Sequence, residues 1–99
     1  MVIETATFRL KPGIEEADFL AADRRLQTDF AYQQRGLVRR TTARGTGRDG
    51  AEWLVIELWG SVEDVEASGL AGTTHDAVRA FAELIDPSTL DVRRYLDLG

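Results

Sequence analysis

The chain has 99 residues, the size of one domain, and its 43% apolar content is typical of a folded globular protein. A formal net charge of −5 argues against a phosphate-binding surface, because nucleic-acid binders concentrate positive charge. The lack of cysteine excludes disulfide bonds and thiolate metal ligands. With neither a signal-like N-terminus nor an apolar run of about eighteen residues, we expect a soluble cytoplasmic protein that binds neither nucleic acid nor membrane.

The first half of the chain reads as strand, helix and strand. Residues 2–10 alternate in polarity, which predicts a first strand that Pro12 and Gly13 end. A helix follows, and Gly36 is placed where a left-handed residue would end it. Its apolar stripe at helical spacing consists of Phe19, Ala22, Leu26 and Phe30. Residues 37–44 predict a second strand.

The second half adds a hairpin strand, an interrupted helix and a last strand. Asp49 and Gly50 are a favourable turn pair leading into the strand 53–59. Ser61 with Asp64 resembles a capping box, predicting a short helix to about residue 67 that Gly69 and Gly72 interrupt. A second helical segment, capped by Thr73 or Thr74, is expected to end at residues 86–87. Residues 90–98 predict the fourth strand. There is no linker or repeat, so residues 1–99 form a single domain.

This order predicts an α+β, ferredoxin-like split βαβ fold (βαββαβ) with a four-stranded antiparallel sheet. Right-handed crossovers place both helices on one face of the sheet and leave the other face bare. The strand 53–59 is apolar on both faces, since Leu54, Ile56 and Leu58 alternate with Trp53, Val55, Glu57 and Trp59. Both of its faces must therefore be covered. We expect a second copy of the chain to cover the tryptophan-bearing face, giving a homodimer with a ligand-sized space at its centre.

Several short segments resemble the dimeric α/β-barrel superfamily, and most closely its antibiotic biosynthesis monooxygenase branch. They are residues 8–13, Gly36 before the second strand, residues 57–59 followed by 61–64, and residues 92–95. The resemblance spans nearly the whole chain, and its motifs mark the fold more than an activity. Proteins of this kind include cofactor-free oxygenases of polycyclic phenols, haem-degrading enzymes and lactone isomerases. Fold analogy alone does not choose among them.

Glu57 is the first candidate for a chemical role. On a face that looks into an enclosed space, desolvation would raise the pKa of its carboxyl and make it a base or proton donor. The alternative is a structural ion pair. A two-residue turn at 49–50 would place Thr42 opposite Glu57, with Arg40 opposite Trp59 and Arg44 opposite Val55. A register change of one residue would exchange Arg40 for Arg39.

Two further polar groups need partners or explanations. Glu4 shares its strand face with Phe8, which should pack on the helices, and Arg94 on the neighbouring last strand is its natural partner. His75, the only histidine, begins a helix. In the haem-degrading relatives a helix histidine in this region binds iron, but the tryptophan and asparagine that accompany it there are missing here. An exposed histidine or a polar group at a pocket mouth are the other interpretations.

Trp53, Trp59 and Tyr95 could form an aromatic wall for a flat ligand, with simple packing across a dimer as the alternative. The resemblance implies catalysis through a substrate carbanion that reacts with oxygen, which requires a base beside a cationic or hydrogen-bonding group. We predict Glu57, Arg40 and Tyr95 as catalytic residues, and Trp53, Trp59, Thr42 and His75 as ligand contacts. The first hypothesis is a cofactor-free, metal-free monooxygenase of an aromatic or polyketide-like compound. The second is a non-catalytic ligand-binding or stress-associated dimer.

Overall fold

The computed structural model describes residues 1–99, apart from the side chain of Asp49. Its elements are β1 Val2–Arg9, α1 Glu16–Asp29, β2 Leu37–Arg44, β3 Glu52–Trp59, α2 Val62–Gly72, α3 Asp76–Ala82 and β4 Asp91–Leu96. The four strands form one antiparallel sheet in the order β2-β3-β1-β4. The predicted α+β, ferredoxin-like fold class is therefore confirmed. In the part of the chain that the structure describes, no helix has the length and apolar character needed to cross a membrane.

The helix after β3 starts as predicted but runs further. The Ser61 hydroxyl accepts a hydrogen bond from the Asp64 N–H at 3.1 Å, which confirms the predicted cap. The predicted interruption at Gly69 is wrong, because α2 continues to Gly72. His75, rather than a threonine, caps α3, since its Nδ1 accepts from the Ala77 N–H at 3.1 Å.

The tryptophan-bearing face of β3 packs against the helices of its own chain, so the prediction that a second copy covers it is wrong. Trp53 and Trp59 are only 5% and 3% exposed. The ring of Phe19 on α1 lies 4.6 Å from that of Trp53, and Trp59 packs with Val65 of α2. Directly paired residues of an antiparallel sheet share a face, and Phe8 pairs with Trp53. The helices that cover Phe8 therefore cover Trp53 as well.

The other face of the sheet is not covered by any helix described for this chain. It carries Ile3, Leu54, Ile56 and Leu58, of which Ile56 is 37% exposed. Exposure of such an apolar sheet face to water is energetically unfavourable.

The β2–β3 hairpin is closed by a longer loop than the predicted two-residue turn at 49–50. The Gly45 N–H donates to the Glu52 carbonyl at 2.8 Å, and a short 3-10 turn, Gly47–Asp49, lies within the loop. The register consequently moves by two residues and places Arg40, not Thr42, directly opposite Glu57. Because a shift of two keeps the parity of a strand, Arg40 stays on the predicted face.

A β-bulge near the start of β2 adjusts the same register. Leu37 pairs with Trp59 and Arg39 with Leu58, so that Val38 is the extra residue. The bulge allows Leu37 and Arg40 to point to the same side of the sheet although they are three residues apart. Leu37 consequently packs against the cluster of Val2, Trp59 and Val65, and Arg40 is buried beneath α1.

Gly36 sets where β2 begins. Its φ of 88° lies in the left-handed region, and a Cβ at this position would overlap the Asp64 side chain. Its carbonyl accepts from the Gly60 N–H at 2.8 Å, which joins the start of β2 to the end of β3. The prediction that Gly36 ends the first helix is wrong, because α1 ends at Asp29 and a 3-10 turn, Ala31–Gln33, precedes Gly36. Gly36 instead joins the hairpin to the segment that leads into α2.

Candidate functional site

A cavity of about 360 Å³ lies between the sheet and the helices, inside one chain. The sequence analysis therefore predicted a cavity in the wrong place, at the centre of a dimer. Most of its wall is apolar and comes from both layers, including Phe30, Val65, Phe81, Val55 and Ile85. Its polar side chains are Glu4, Arg40, Glu57, Ser68 and Arg94, all but Ser68 from the sheet. This combination of apolar wall and few polar groups is typical of small-molecule sites.

Glu57 is the titratable group whose environment is most unusual. Its neighbours across the sheet are Glu4 on β1 and Arg40 on β2. Burial raises the pKa of the Glu57 carboxyl above its usual value of 4.5, and the like charge of Glu4 raises it further. Arg40 and the indole of Trp59 act in the opposite direction without cancelling the effect of burial. A larger fraction of Glu57 is therefore protonated than of an exposed glutamate at the same pH.

Arg40 is buried between two carboxylates that belong to different elements. Its Nη1 lies 2.6 Å from Oδ1 of Asp23 on α1, and its Nε lies 3.3 Å from Oε2 of Glu57. The Arg40 side chain is 2% exposed. Nη1 also donates to the Thr42 hydroxyl at 3.1 Å, and the guanidinium carbon sits 5.6 Å from the centre of the Phe81 ring. The group is thus fixed on several sides.

The backbone of Arg40 is held by a side chain in place of a further strand. On the outer edge of β2, the Arg40 N–H donates to the Tyr32 hydroxyl at 3.0 Å. The same hydroxyl donates to the Arg40 carbonyl at 3.2 Å. One phenol therefore satisfies both backbone groups and fixes the position from which the guanidinium enters the core.

Two polar nitrogens at this site are buried without a hydrogen-bond partner among the described side chains. They are Nε1 of Trp59 and Nε of Arg40, both of which approach the Glu57 carboxylate without the geometry of a hydrogen bond. The contact of Arg40 Nε with Glu57 is an ion pair at 3.3 Å whose geometry is not that of a hydrogen bond. Buried N–H groups without acceptors are costly, and both residues line the cavity. A ligand oxygen in the cavity could accept from them.

Glu4 and Arg94 form the predicted pair. Arg94 Nε lies 2.8 Å from Glu4 Oε2, and Arg94 Nη1 lies 3.9 Å from Glu66 of α2. The Arg94 side chain is 43% exposed, which places this pair toward the open side of the cavity. Its guanidinium offsets the charge of Glu4, the carboxylate beside Glu57.

The structure brings together some of the predicted site residues and separates others. Glu57, Arg40 and Trp59 line the cavity, and Thr42 supports Arg40 from beside it. Tyr95 pairs with Ile3 on the opposite face of the sheet, so its predicted grouping with Glu57 and Arg40 is wrong within one chain. Trp53 is a core residue against Phe19, and His75 caps α3 with its ring 5.0 Å from that of Phe30.

Sequence reasoning missed Asp23, which is 3% exposed. It lies four residues after Phe19 and three before Leu26, in the middle of the apolar stripe of α1. A carboxylate at such a position needs a buried cation, and that signal could have been read from the sequence. Ser68 and Glu4 were also not expected to line the cavity.

Solved structures with the same architecture were found, although no family model and no curated protein matches the sequence. One is a point mutant of SnoaB, a cofactor-independent oxygenase from Streptomyces nogalater, with a TM-score of 0.79, 18% identity, and 99% of this chain and 93% of that chain covered. A candidate antibiotic biosynthesis monooxygenase from Bordetella bronchiseptica has a TM-score of 0.80 and 17% identity, covering 99% and 97%. One from Chloroflexus aurantiacus has a TM-score of 0.71 and 21% identity, covering 100% and 95%.

The chain has the fold of these proteins. The coverage is nearly complete in both directions, so no large insertion or missing element separates them. This agrees with the fold that the resemblance implied.

Replacing Arg40 with Met should destabilise the protein by about 3–5 kcal/mol, because Asp23 and Glu57 would remain buried without a cation. Arg44→Met is the matched control on the same strand. Arg44 Nη1 lies 2.7 Å from Glu16, but both side chains are about half exposed, so its loss should cost at most about 1 kcal/mol. Urea denaturation of both variants measures the difference. Equal losses would contradict the burial argument.

Replacing Glu57 with Gln should change how stability depends on pH. Since the folded-state pKa is raised, the wild-type folded state binds the proton more tightly, and this contribution is full below about pH 4.5. It is lost as pH rises through the folded-state pKa, at about 1.4 kcal/mol for each unit of the shift.

Glu57→Gln cannot ionise, so its stability relative to wild type should increase from about pH 4.5 upward and then level off. Chemical denaturation at a series of pH values measures this difference. Glu52→Gln, which replaces an exposed carboxyl on the same strand, is the matched control. A constant offset between Glu57→Gln and wild type would contradict the raised pKa.

Proposed function

We propose that this protein is a cofactor-independent monooxygenase that acts on an aromatic or polyketide-like compound in the cavity between sheet and helices. The observation that carries the proposal is a buried carboxyl of raised pKa, Glu57, on the wall of an apolar cavity of about 360 Å³. The fold shared with SnoaB, described as a cofactor-independent oxygenase, supports the same choice. Fold likeness alone would not suffice.

The residues supply what such a reaction needs. The Glu57 carboxylate removes a proton from a carbon next to a substrate carbonyl, and the negative charge moves onto that oxygen. Arg40 Nε and the Trp59 N–H, the two unpartnered donors, stabilise the resulting enolate. We keep Glu57 and Arg40 as the proposed catalytic residues and Trp59 as a ligand contact.

The electrons of the enolate reduce dioxygen, and a carbon–oxygen bond forms to give a peroxide anion. Glu57 returns its proton to this anion, which becomes a hydroperoxide. The Glu57 carboxylate then removes the second hydrogen of the same carbon, the C=O bond forms as the O–O bond breaks, and the departing hydroxide takes that proton from Glu57 as water. A CH₂ group and O₂ thus become C=O and H₂O, the substrate is the only reductant, and the protein ends unchanged.

Binding without catalysis is the second candidate function. The specific observation in its favour is the 3.3 Å contact between Arg40 and Glu57, which partly neutralises the proposed base. A cavity with this ion pair in its wall could hold a flat ligand without reacting with it. The test for the first function also decides between the two.

We expect the protein to accelerate the oxidation of anthrone, a tricyclic ketone with an acidic CH₂ group, to the quinone. An oxygen electrode should record one O₂ consumed for each quinone formed, above the rate without protein. Glu57→Gln should lower the catalysed rate by about 100-fold or more, since it removes the general base. Glu52→Gln is the exposed control and should retain activity.

The outcomes separate the two functions. Quenching of tryptophan fluorescence by anthrone without faster oxygen uptake would support the binding function and contradict the oxygenase. Catalysis unaffected by Glu57→Gln would show that another group acts as the base. The absence of both binding and oxidation would contradict the aromatic ligand.

The open face of the sheet is the proposed homodimer interface. It carries Ile3, Leu54, Ile56 and Leu58, and Tyr95 lies beside Ile3 at 47% exposure. A shallow hollow on this face is bordered by Arg39 and Asp97, charges that a second copy could pair. This surface replaces the tryptophan face of the original dimer prediction, and it supports pairing because apolar sheet faces are normally covered.

Sedimentation should therefore give a dimer for the wild type at micromolar concentration. Ile56→Asp should shift the equilibrium to monomer, because it would place a charge in the apolar interface. Leu70→Asp is the control, since Leu70 is 75% exposed on α2, away from this face. A monomeric wild type, or equal effects of the two variants, would contradict the proposed interface.

A further inference from the structure

Asp23 is a buried carboxylate that the oxygenation chemistry does not use directly. It lies on α1 with its side chain 4% exposed. Its Oδ1 accepts from Arg40 Nη1 at 2.6 Å, and its Oδ2 accepts from Gln27 Nε2 at 2.9 Å. A carboxylate in such a place costs free energy unless its partners are well arranged. Asp23 is therefore part of the polar network at the cavity wall.

The contacts of Arg40 are divided unequally between its two carboxylates. Toward Asp23 it makes a short hydrogen bond, whereas toward Glu57 it makes only the 3.3 Å ion pair. An arginine free to choose would present two parallel N–H groups to one carboxylate. Here Nη1 is bound to Asp23 and Thr42, and Nε is the guanidinium nitrogen that approaches Glu57, without the geometry of a hydrogen bond.

We propose that Asp23 is a positioning residue that draws Arg40 toward α1. The guanidinium then offers Glu57 only a single, poorly aligned contact. The Glu57 carboxylate consequently remains free to exchange a proton with a ligand. This inference rests on the proposed role of Glu57 as the base. Arg40 then serves two purposes, since it stays close enough to stabilise negative charge and too poorly aligned to quench the base.

Other charges also face Glu57. Glu4 on β1 and Arg40 on β2 are its neighbours, whereas Asp23 on α1 contacts Arg40. Arg94 on β4 pairs with Glu4 and approaches Glu66 of α2. The charges that shift the Glu57 pKa directly are Arg40 and Glu4, after burial as the largest cause. An effect of Asp23 on Glu57 therefore passes through Arg40.

The test is the titration of the Glu57 side-chain carboxyl carbon by NMR in the free protein. In Asp23→Asn the competing charge is removed while size and hydrogen-bonding capacity are kept, and Arg40 should turn toward Glu57. The titration midpoint should fall by about one pH unit or more, as for a carboxylate beside a well-placed arginine. Thr42→Val, which removes the neutral partner of Nη1, is the control and should leave the midpoint nearly unchanged.

An unchanged or higher midpoint in Asp23→Asn would overturn the proposal. A crystal structure of Asp23→Asn then tests the cause, and a second guanidinium nitrogen should lie within hydrogen-bonding distance of Glu57. A lowered midpoint with the 3.3 Å contact unchanged would indicate a direct charge effect and would also overturn it.

Glu57→Gln gives a test that does not require Asp23→Asn to fold. If Asp23 holds Arg40, the N–H signals of the Arg40 guanidinium should keep their wild-type chemical shifts in Glu57→Gln. Rotation of the guanidinium group should also remain slow. Signals that broaden and average would show that Glu57 is the anchor, which contradicts the proposal. Because neither measurement uses a ligand or oxygen, a failure of the oxygenase function is distinguished from a failure of this inference.

Discussion

The structure depends on the burial of one guanidinium, that of Arg40, between carboxylates from a helix and a strand. A charge in this position is tolerated only when its partners are in place. The contact between Arg40 and Asp23 needs α1 to lie over β2. The contact between Arg40 and Glu57 needs the β2–β3 register that the structure adopts. The bulge at Val38 and the Tyr32 hydroxyl both fix that register, so the hairpin geometry and the position of the charge are parts of one arrangement.

The same arrangement explains why Glu57 differs from the other charged groups at the cavity. Three carboxylates, of Glu4, Asp23 and Glu57, face two guanidiniums, of Arg40 and Arg94. The cations cannot neutralise all three, and Glu57 has the weakest geometry of the three ion pairs. Burial then acts on the least compensated carboxyl, which is where its pKa rises. The raised pKa of the Glu57 carboxyl at the cavity wall thus follows from its burial and from the balance of charges around it.

Much of the fold could be predicted from the sequence, because local signals decide it. The order of elements, the Ser61 cap and the Glu4–Arg94 pair are confirmed. The covered face of β3 could not be chosen, since both faces are apolar and periodicity alone does not say which one meets the helices. The register failed because Asp49-Gly50 resembles a tight turn, whereas Gly45 bonds Glu52 across a longer loop. Pairing Phe8 with Trp53 would have corrected the first error.

Asp23 illustrates a different limit of sequence reasoning. A charged residue in an apolar stripe is visible in the sequence, but its partner lies on a strand reached only through the tertiary fold. Replacing such a network with apolar residues often stabilises a protein, so packing alone gives little reason for it. The proposed function does give a reason, because a wall that stabilises negative charge without neutralising its own base needs a cation held slightly away from that base. In this chain Asp23 is the residue proposed to hold that cation, since Arg40 Nη1 lies 2.6 Å from Asp23 Oδ1, whereas Arg40 Nε lies 3.3 Å from Glu57 Oε2.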